Sequence, residues 1–218
     1  MYIDIHTHTH YQDPETTLVL NTFPDETDKL DLPVYLSVGL HPWHVRENDW
    51  QTLVEAIAHV AGKKNVIAIG ESGLDKTVKT DYFLQQKAFE AQLHIAQTHH
   101  KPMIIHCVRS YSELLAFRKK SDLKLPWIFH WFNADPQIAR ELIRKNCYLS
   151  FGHMLFKEQS KAFQVFQDIE PDHVFFETDD TGYTIQEIYE KASSIKNMDT
   201  GDLKSRIIHN FERCFQEL

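Results

Sequence analysis

Eight short apolar runs punctuate this chain, and from the third onward a helical pattern stands between each run and the next. The runs are 2–6, 16–21, 34–39, 65–70, 102–106, 127–130, 147–151 and 173–178. Each is too short for a buried helix, and most are rich in β-branched and aromatic residues, so each reads as a buried strand. Between them, Trp50, Leu53, Val54, Ile57 and Ala61 form a helical stripe after a cap at Asn48, and Leu84, Ala88, Ala91 and Ile95 form another. Ser110 with Glu113, and Thr184 with Glu187, have capping-box spacing, which satisfies orphan amides of a first turn. Asp135-Pro136 reads as N-cap followed by proline at the first helical position, where no hydrogen bond is lost. Leu203, Ile207, Phe211 and Phe215 predict a last helix. Strands that alternate with helices pair in parallel, and eight of them close into a TIM-type (β/α) barrel. The connections 7–15 and 22–33 are short and polar, so the barrel is expected to be trimmed, with one or two early outer helices missing. An open doubly wound sheet is the alternative. The chain is expected to be a single domain, 1–218.

The ionisable residues fall where such a fold does chemistry. Catalytic groups of a parallel barrel sit at the C-terminal ends of the strands. His6 and His8 end the first run, Glu71 follows the fourth, His106 ends the fifth, His130 ends the sixth and Asp179 follows the eighth. His6 and His8 have the same parity, so both imidazoles project from one face of the strand. Asp4 shares that parity and lies deeper, where it can orient a ligand. An HxH pair alone is weak evidence, since a histidine at a strand end is commonly a satisfied polar residue. Six metal-ligand residue types at the ends of five strands point to a metal centre. Imidazole with carboxylate suits zinc, manganese, iron or nickel, and magnesium prefers more oxygen. Six ligands exceed one tetrahedral site and suit one or two divalent ions, with Glu71 the natural shared carboxylate.

The overall balance limits the partners. Lys plus Arg number 23 and Asp plus Glu 31, a formal charge of −8, which disfavours indiscriminate binding to nucleic acid. Cys107, Cys147 and Cys214 are odd in number and far apart, so neither a disulfide framework nor a cysteine zinc module is expected. No signal peptide and no membrane span are evident, and a cytoplasmic location is the expectation.

DIHTH, VGLHPW, AIGESGLD, KPMIIHC, FHWFN and FFETDD follow one another in this order. Together they resemble the motifs of the TatD-type metal-dependent deoxyribonucleases, within the amidohydrolase-like barrels. The resemblance covers nearly the whole chain. It implies that His6, His8, Glu71 and Asp179 hold one metal, that Glu71, His106 and His130 hold a second, and that the substrate is a DNA phosphodiester. One departure is plain. After Asp179 the family continues with a proline-rich loop carrying Arg-Gly and Asn, whereas this chain runs on as DTGYTIQEIYEKAS.

Within this reading, Asp179 is the expected proton acceptor for an attacking water, and Glu71 is the second catalytic carboxylate. His41, Arg109 and His153 are the expected substrate-binding residues, because each follows a strand and suits an anion. Cys107 alternates away from His106 and is expected to be core. Arg118-Lys119-Lys120 is expected to complement a helix C-terminus rather than to form a nucleic-acid patch. An amidohydrolase-type enzyme acting on a small amide, ester or lactone is the second function, and a non-catalytic metal-binding protein the third.

Overall fold

The computed structural model describes residues 1–121 and 124–215. Among them are eight strands and seven α-helices. The strands are β1 (Tyr2–Thr7), β2 (Thr16–Thr22), β3 (Tyr35–Val38), β4 (Val66–Asp75), β5 (Met103–Val108), β6 (Trp127–Phe129), β7 (Cys147–Phe151) and β8 (Val174–Phe176). The helices are α1 (Trp50–Val60), α2 (Tyr82–Thr98), α3 (Tyr111–Lys120), α4 (Pro136–Ile143), α5 (Lys161–Asp168), α6 (Ile185–Lys196) and α7 (Thr200–Cys214). Every expected strand is present. No α-helix follows β1, and only the short 3-10 turn Thr27–Asp31 stands between β2 and β3, so both early outer helices are missing. The described residues divide into two compact units, one joining Met1–Leu20 to the chain from Phe129 onward, the other being Asn21–Ile128.

In the first unit β1 pairs with β2 in parallel, from Tyr2 opposite Thr16 to Thr7 opposite Leu20. β7 pairs with β8, with Phe151 opposite Phe176, and Thr7 bridges to Asp179 just past β8. Ile3, Ile5, Leu149, Phe151, Phe175 and Phe176 are fully buried, which is why these strands read as continuous apolar runs. α6 and α7 cover this core with polar anchors. The Tyr189 hydroxyl accepts from Ile3 N and donates to Ile3 O, both at 3.2 Å. Asn210 Nδ2 donates to Val174 O at 2.9 Å. The Thr184 and Glu187 capping box forms as expected, with each side chain bonded to the other's backbone.

In the second unit β3, β4 and β5 pair in parallel, with Val38 opposite Ile69 and Gly73 opposite His106. A Cβ on Gly73 would lie 1.8 Å from His106 O, so only glycine lets β4 run on beside β5. Two buried glutamines of α2 bind the strand ends. Gln92 accepts from Leu40 N at 2.7 Å and donates to Leu40 O at 3.1 Å. Gln85 accepts from Asp75 N at 2.8 Å and donates to Asp75 O at 3.1 Å. Strand ends leave backbone groups that need partners away from water, and these amides supply them.

Two local expectations are corrected. α1 starts one residue later than expected, with Asp49 as its N-cap. Ser110 makes no capping bond to α3, because its hydroxyl accepts from Tyr82 and donates to Val108 O while Glu113 pairs with Lys76. Arg118 stands in the last turn of α3 as expected, but turned inward. It is fully buried, donates to Leu125 O at 2.8 Å and lies 5.1 Å from the Trp127 ring centre. A planar, weakly hydrated guanidinium suits such a place better than an ammonium.

Candidate metal centre

In the first unit, His6 and His8 stand at the end of β1 and Asp179 just past β8. The Asp179 backbone is left-handed, φ 53°. It is fixed by its own N–H donating to His6 O at 3.0 Å and by its carbonyl accepting from His8 N at 3.2 Å. Aspartate tolerates this conformation better than most residues. Its Oδ1 lies 3.7 Å from His6 Nε2 and 3.3 Å from His8 Nε2. His130, just past β6, brings its ring centre to 4.6 Å from that of His6. His6, His130 and Asp179, all buried, offer ligand atoms within 4.8 Å of one another.

Two buried carboxylates stand behind this group. Asp4 accepts from Thr178 N at 3.0 Å, Thr178 Oγ1 at 2.7 Å and the Tyr11 hydroxyl at 2.9 Å. It therefore anchors the residue before Asp179, a positioning role of the kind its parity suggested. Burial pushes the Asp4 carboxyl up to about 6. Glu177 accepts from Trp131 N and stands 3.8 Å from His130 Nδ1. Burial pushes its carboxyl up to about 7.

In the second unit, Glu71 lies inside β4 rather than after it. Its N–H donates to Asn21 Oδ1 at 2.8 Å. His106 Nδ1 is 2.7 Å from Glu71 Oε1 and 3.0 Å from His41 Nε2, and His41 Nε2 is 3.1 Å from the same Glu71 oxygen. His41, Glu71 and His106, all buried, offer ligand atoms within 4.8 Å of one another. His41 thus stands among the ligand-type groups, whereas sequence reasoning placed it with the substrate contacts alone.

Asp75 completes this cluster and was missed in the sequence. Its Oδ2 lies 3.4 Å from His106 Nε2 and accepts from Trp43 Nε1 at 2.7 Å. Its Oδ1 accepts from Thr77 N and Oγ1. Burial opposes its ionisation, but these donors outweigh burial and hold its carboxyl below the usual range. The signal was present as the last residue of ESGLD, at the even spacing from Glu71 that shares a strand face.

Of the other expected residues, Arg109 is exposed just past β5 with a left-handed backbone, φ 53°. His153 is half-buried, its ring centre 5.0 Å from Trp131. Cys107 is half-buried rather than part of the core, although the burial it has pushes its thiol up to about 12. The donor chemistry of both triads, imidazole with carboxylate, fits a divalent metal ion. A carboxylate behind a ligating histidine is the usual outer support of such a site. No helix among the described residues is long and apolar enough to cross a membrane.

Comparison with known proteins agrees with this chemistry. Residues 20–216 match the family model of TatD related DNase. The metal-dependent hydrolase YabD of Bacillus subtilis is 28% identical over 202 residues, 84% of this chain and 78% of that protein. The 3'-5' ssDNA/RNA exonuclease TatD of Citrobacter koseri is 33% identical over 117 residues, 52% of this chain and 44% of that protein. Among solved structures, YjjV, a TatD homologue of Escherichia coli K12, superposes with a TM-score of 0.86 at 18% identity, covering 100% of this chain and 98% of that one. That likeness shows the fold, the TIM-type (β/α) barrel that the strand–helix alternation predicted.

Proposed function

The chain belongs to the TatD-related DNase family of metal-dependent hydrolases, and from that membership we propose that it hydrolyses phosphodiesters of single-stranded nucleic acid. The observation that carries the proposal is the pair of buried triads, each converging within 4.8 Å on atoms that bind divalent ions. The proposed ligands are His6, His8, Glu71, His106, His130 and Asp179, with His41 beside them in the second triad, for one or two ions of zinc, manganese or magnesium. The name of the Citrobacter koseri relative supports the single-stranded substrate.

A bound divalent ion supplies Lewis acidity, which acidifies water and offsets charge that develops on phosphoryl oxygens. The chain's own residues do the rest. Asp179, held rigidly by backbone bonds on both sides, takes the proton of the attacking water through a carboxylate oxygen. With an ion bound, Asp75 would accept the Nε2 proton of His106, which would leave Nδ1, on the side of Glu71 and His41, free to ligate. Asp4 and Thr178 fix the backbone from which Asp179 projects. His41, Arg109 and His153 are the groups that contact the substrate anion and its neighbours.

The test uses metal-stripped protein resupplied separately with Mg²⁺, Mn²⁺ and Zn²⁺, acting on a generic phosphodiester and on single-stranded DNA. One ion should restore turnover, and Glu71→Ala should abolish it. Asp179→Asn should lower kcat by about 10²–10⁴-fold, the usual worth of a positioned base. Stoichiometric metal binding without phosphodiester turnover would shift the assignment to a small amide, ester or lactone.

A further inference from the structure

We propose that Trp131, His153 and Tyr183 form a stacking subsite for an unpaired base of a single-stranded nucleic acid. The inference rests on the phosphodiesterase reading above and deepens it.

Trp131 directly follows the ligand residue His130, and its ring centre lies 6.5 Å from that of His130. Its backbone is left-handed, φ 45°, a conformation that bulky residues rarely adopt. The buried Glu177 carboxylate accepts its N–H and holds it there. The consequence is an indole turned outward, 37% exposed, although the next residue, Phe132, is 1% exposed. The Trp131 ring meets His153 edge to face at 5.0 Å. The His153 ring runs nearly parallel to Tyr183, at 12° and 6.2 Å. Tyr183, 38% exposed, is backed by Phe156 at 4.5 Å. Three adjoining rings thus reach solvent, on a stiff aromatic backing, beside a ligand histidine of the same unit.

Single exposed apolar residues need no explanation, but a contiguous aromatic surface of this kind marks a binding site. Nucleobases fit it best. Every base has a π-face, so aromatic rings next to a phosphate-handling centre grip a single strand with little regard to sequence. Lys157 acts on His153 closely enough to lower its proton affinity, second to burial. Asp179 and Asp180 oppose it there, so the rings rather than the net charge carry the grip on the strand.

The test compares a short fluorescent thymidine strand with an otherwise identical strand lacking its bases. Both bind the full-length protein in chelator, so that nothing is cut. Wild type should bind the intact strand about tenfold more tightly than the abasic one, the usual worth of one stacked base. Trp131→Ala and Tyr183→Ala should bring that ratio toward one, and Trp131→Phe should keep it. Equal binding of the two strands by wild type, or an unchanged ratio in both alanine variants, overturns the subsite. So does displacement of the strand by a simple aromatic ester that binds more tightly than either strand, since the rings then serve a small substrate. Wild-type turnover of a phosphodiester that carries no base separates the two claims. Turnover without base preference rejects only the subsite, and base preference without turnover rejects only the hydrolase reading.

Discussion

In the unit containing β4, His106 has a carboxylate at each ring nitrogen, Glu71 at 2.7 Å and Asp75 at 3.4 Å. In the unit containing β1 and β8, Asp179 stands 3.7 Å from His6, and Glu177 stands 3.8 Å from His130. Both groups are buried and use the same residue types. The Glu71 group closes on itself at hydrogen-bond distance, whereas the Asp179 group is spaced more widely. Their supporting carboxylates differ in the same sense. Asp75 has donors on both oxygens and is held ionised. Asp4 and Glu177 are pushed up to about 6 and about 7, because burial outweighs the donors they have. One group is therefore nearly satisfied as it stands, while the other carries buried carboxylates whose ionisation costs free energy.

That difference has a pH signature, which is the largest effect expected. For Asp4 and Glu177 the folded-state value lies above the ordinary 3.8 and 4.5. Their contribution to stability is full below about pH 4 and is lost as pH rises through about 6 and about 7. The metal-free protein should therefore lose stability over that window, by at most about 3 kcal/mol per carboxylate. Asp75 runs the other way, since its lowered value gives stability that is lost on acidification. Urea unfolding of the metal-free protein near pH 5 and near pH 7 reads the slope. Asp4→Asn and Glu177→Gln should flatten it, and an unchanged slope in both would erase the contrast between the groups.

Metal affinity sharpens the comparison at the next level. Asp75→Asn leaves the shape of the site but weakens the hold on the His106 Nε2 proton. Removal of such an outer partner costs about 10–100-fold in metal affinity. Competition against a chromogenic chelator measures it. Glu177→Gln should cost less, because Glu177 is further from its histidine and protonates near neutrality. Equal losses would mean that the two groups are supported alike.

The smallest effect separates helix starts rather than ligands. Thr184 caps α6 through a complete capping box, so Thr184→Ala should cost about 1 kcal/mol. Ser110 heads α3 without capping it. Ser110→Ala should therefore act only through Tyr82 and Val108, which thermal unfolding of Ser110→Ala beside Ser110→Ala/Tyr82→Phe resolves.

The Glu71 position shows why part of the site was legible and part was not. Its motif announced a mouth residue, and the residue is in the cluster. The strand, however, continues through it to Asp75, because Gly73 admits the backbone of β5. His6 and His8 were legible from their shared parity taken together with the other ligand-type residues at strand ends. Asp4 was placed near the centre by that parity, but its partner is Thr178, distant in sequence. Gln85, Gln92 and Arg118 look like ordinary surface residues in a helical pattern. Each is buried because a strand end or loop carbonyl lies within its reach.

The sequence by itself determined the eight strands, the missing early helices and the candidate ligand residues at the strand ends. These depend on alternation, on side-chain parity and on chain order, which are local properties. Tertiary structure alone decided that His41 joins Glu71 and His106, that Asp75 and Glu177 stand behind histidines, and that Trp131 turns outward. Those outcomes depend on which atoms from distant segments meet out of water, where each buried polar group must find a partner or shift its proton.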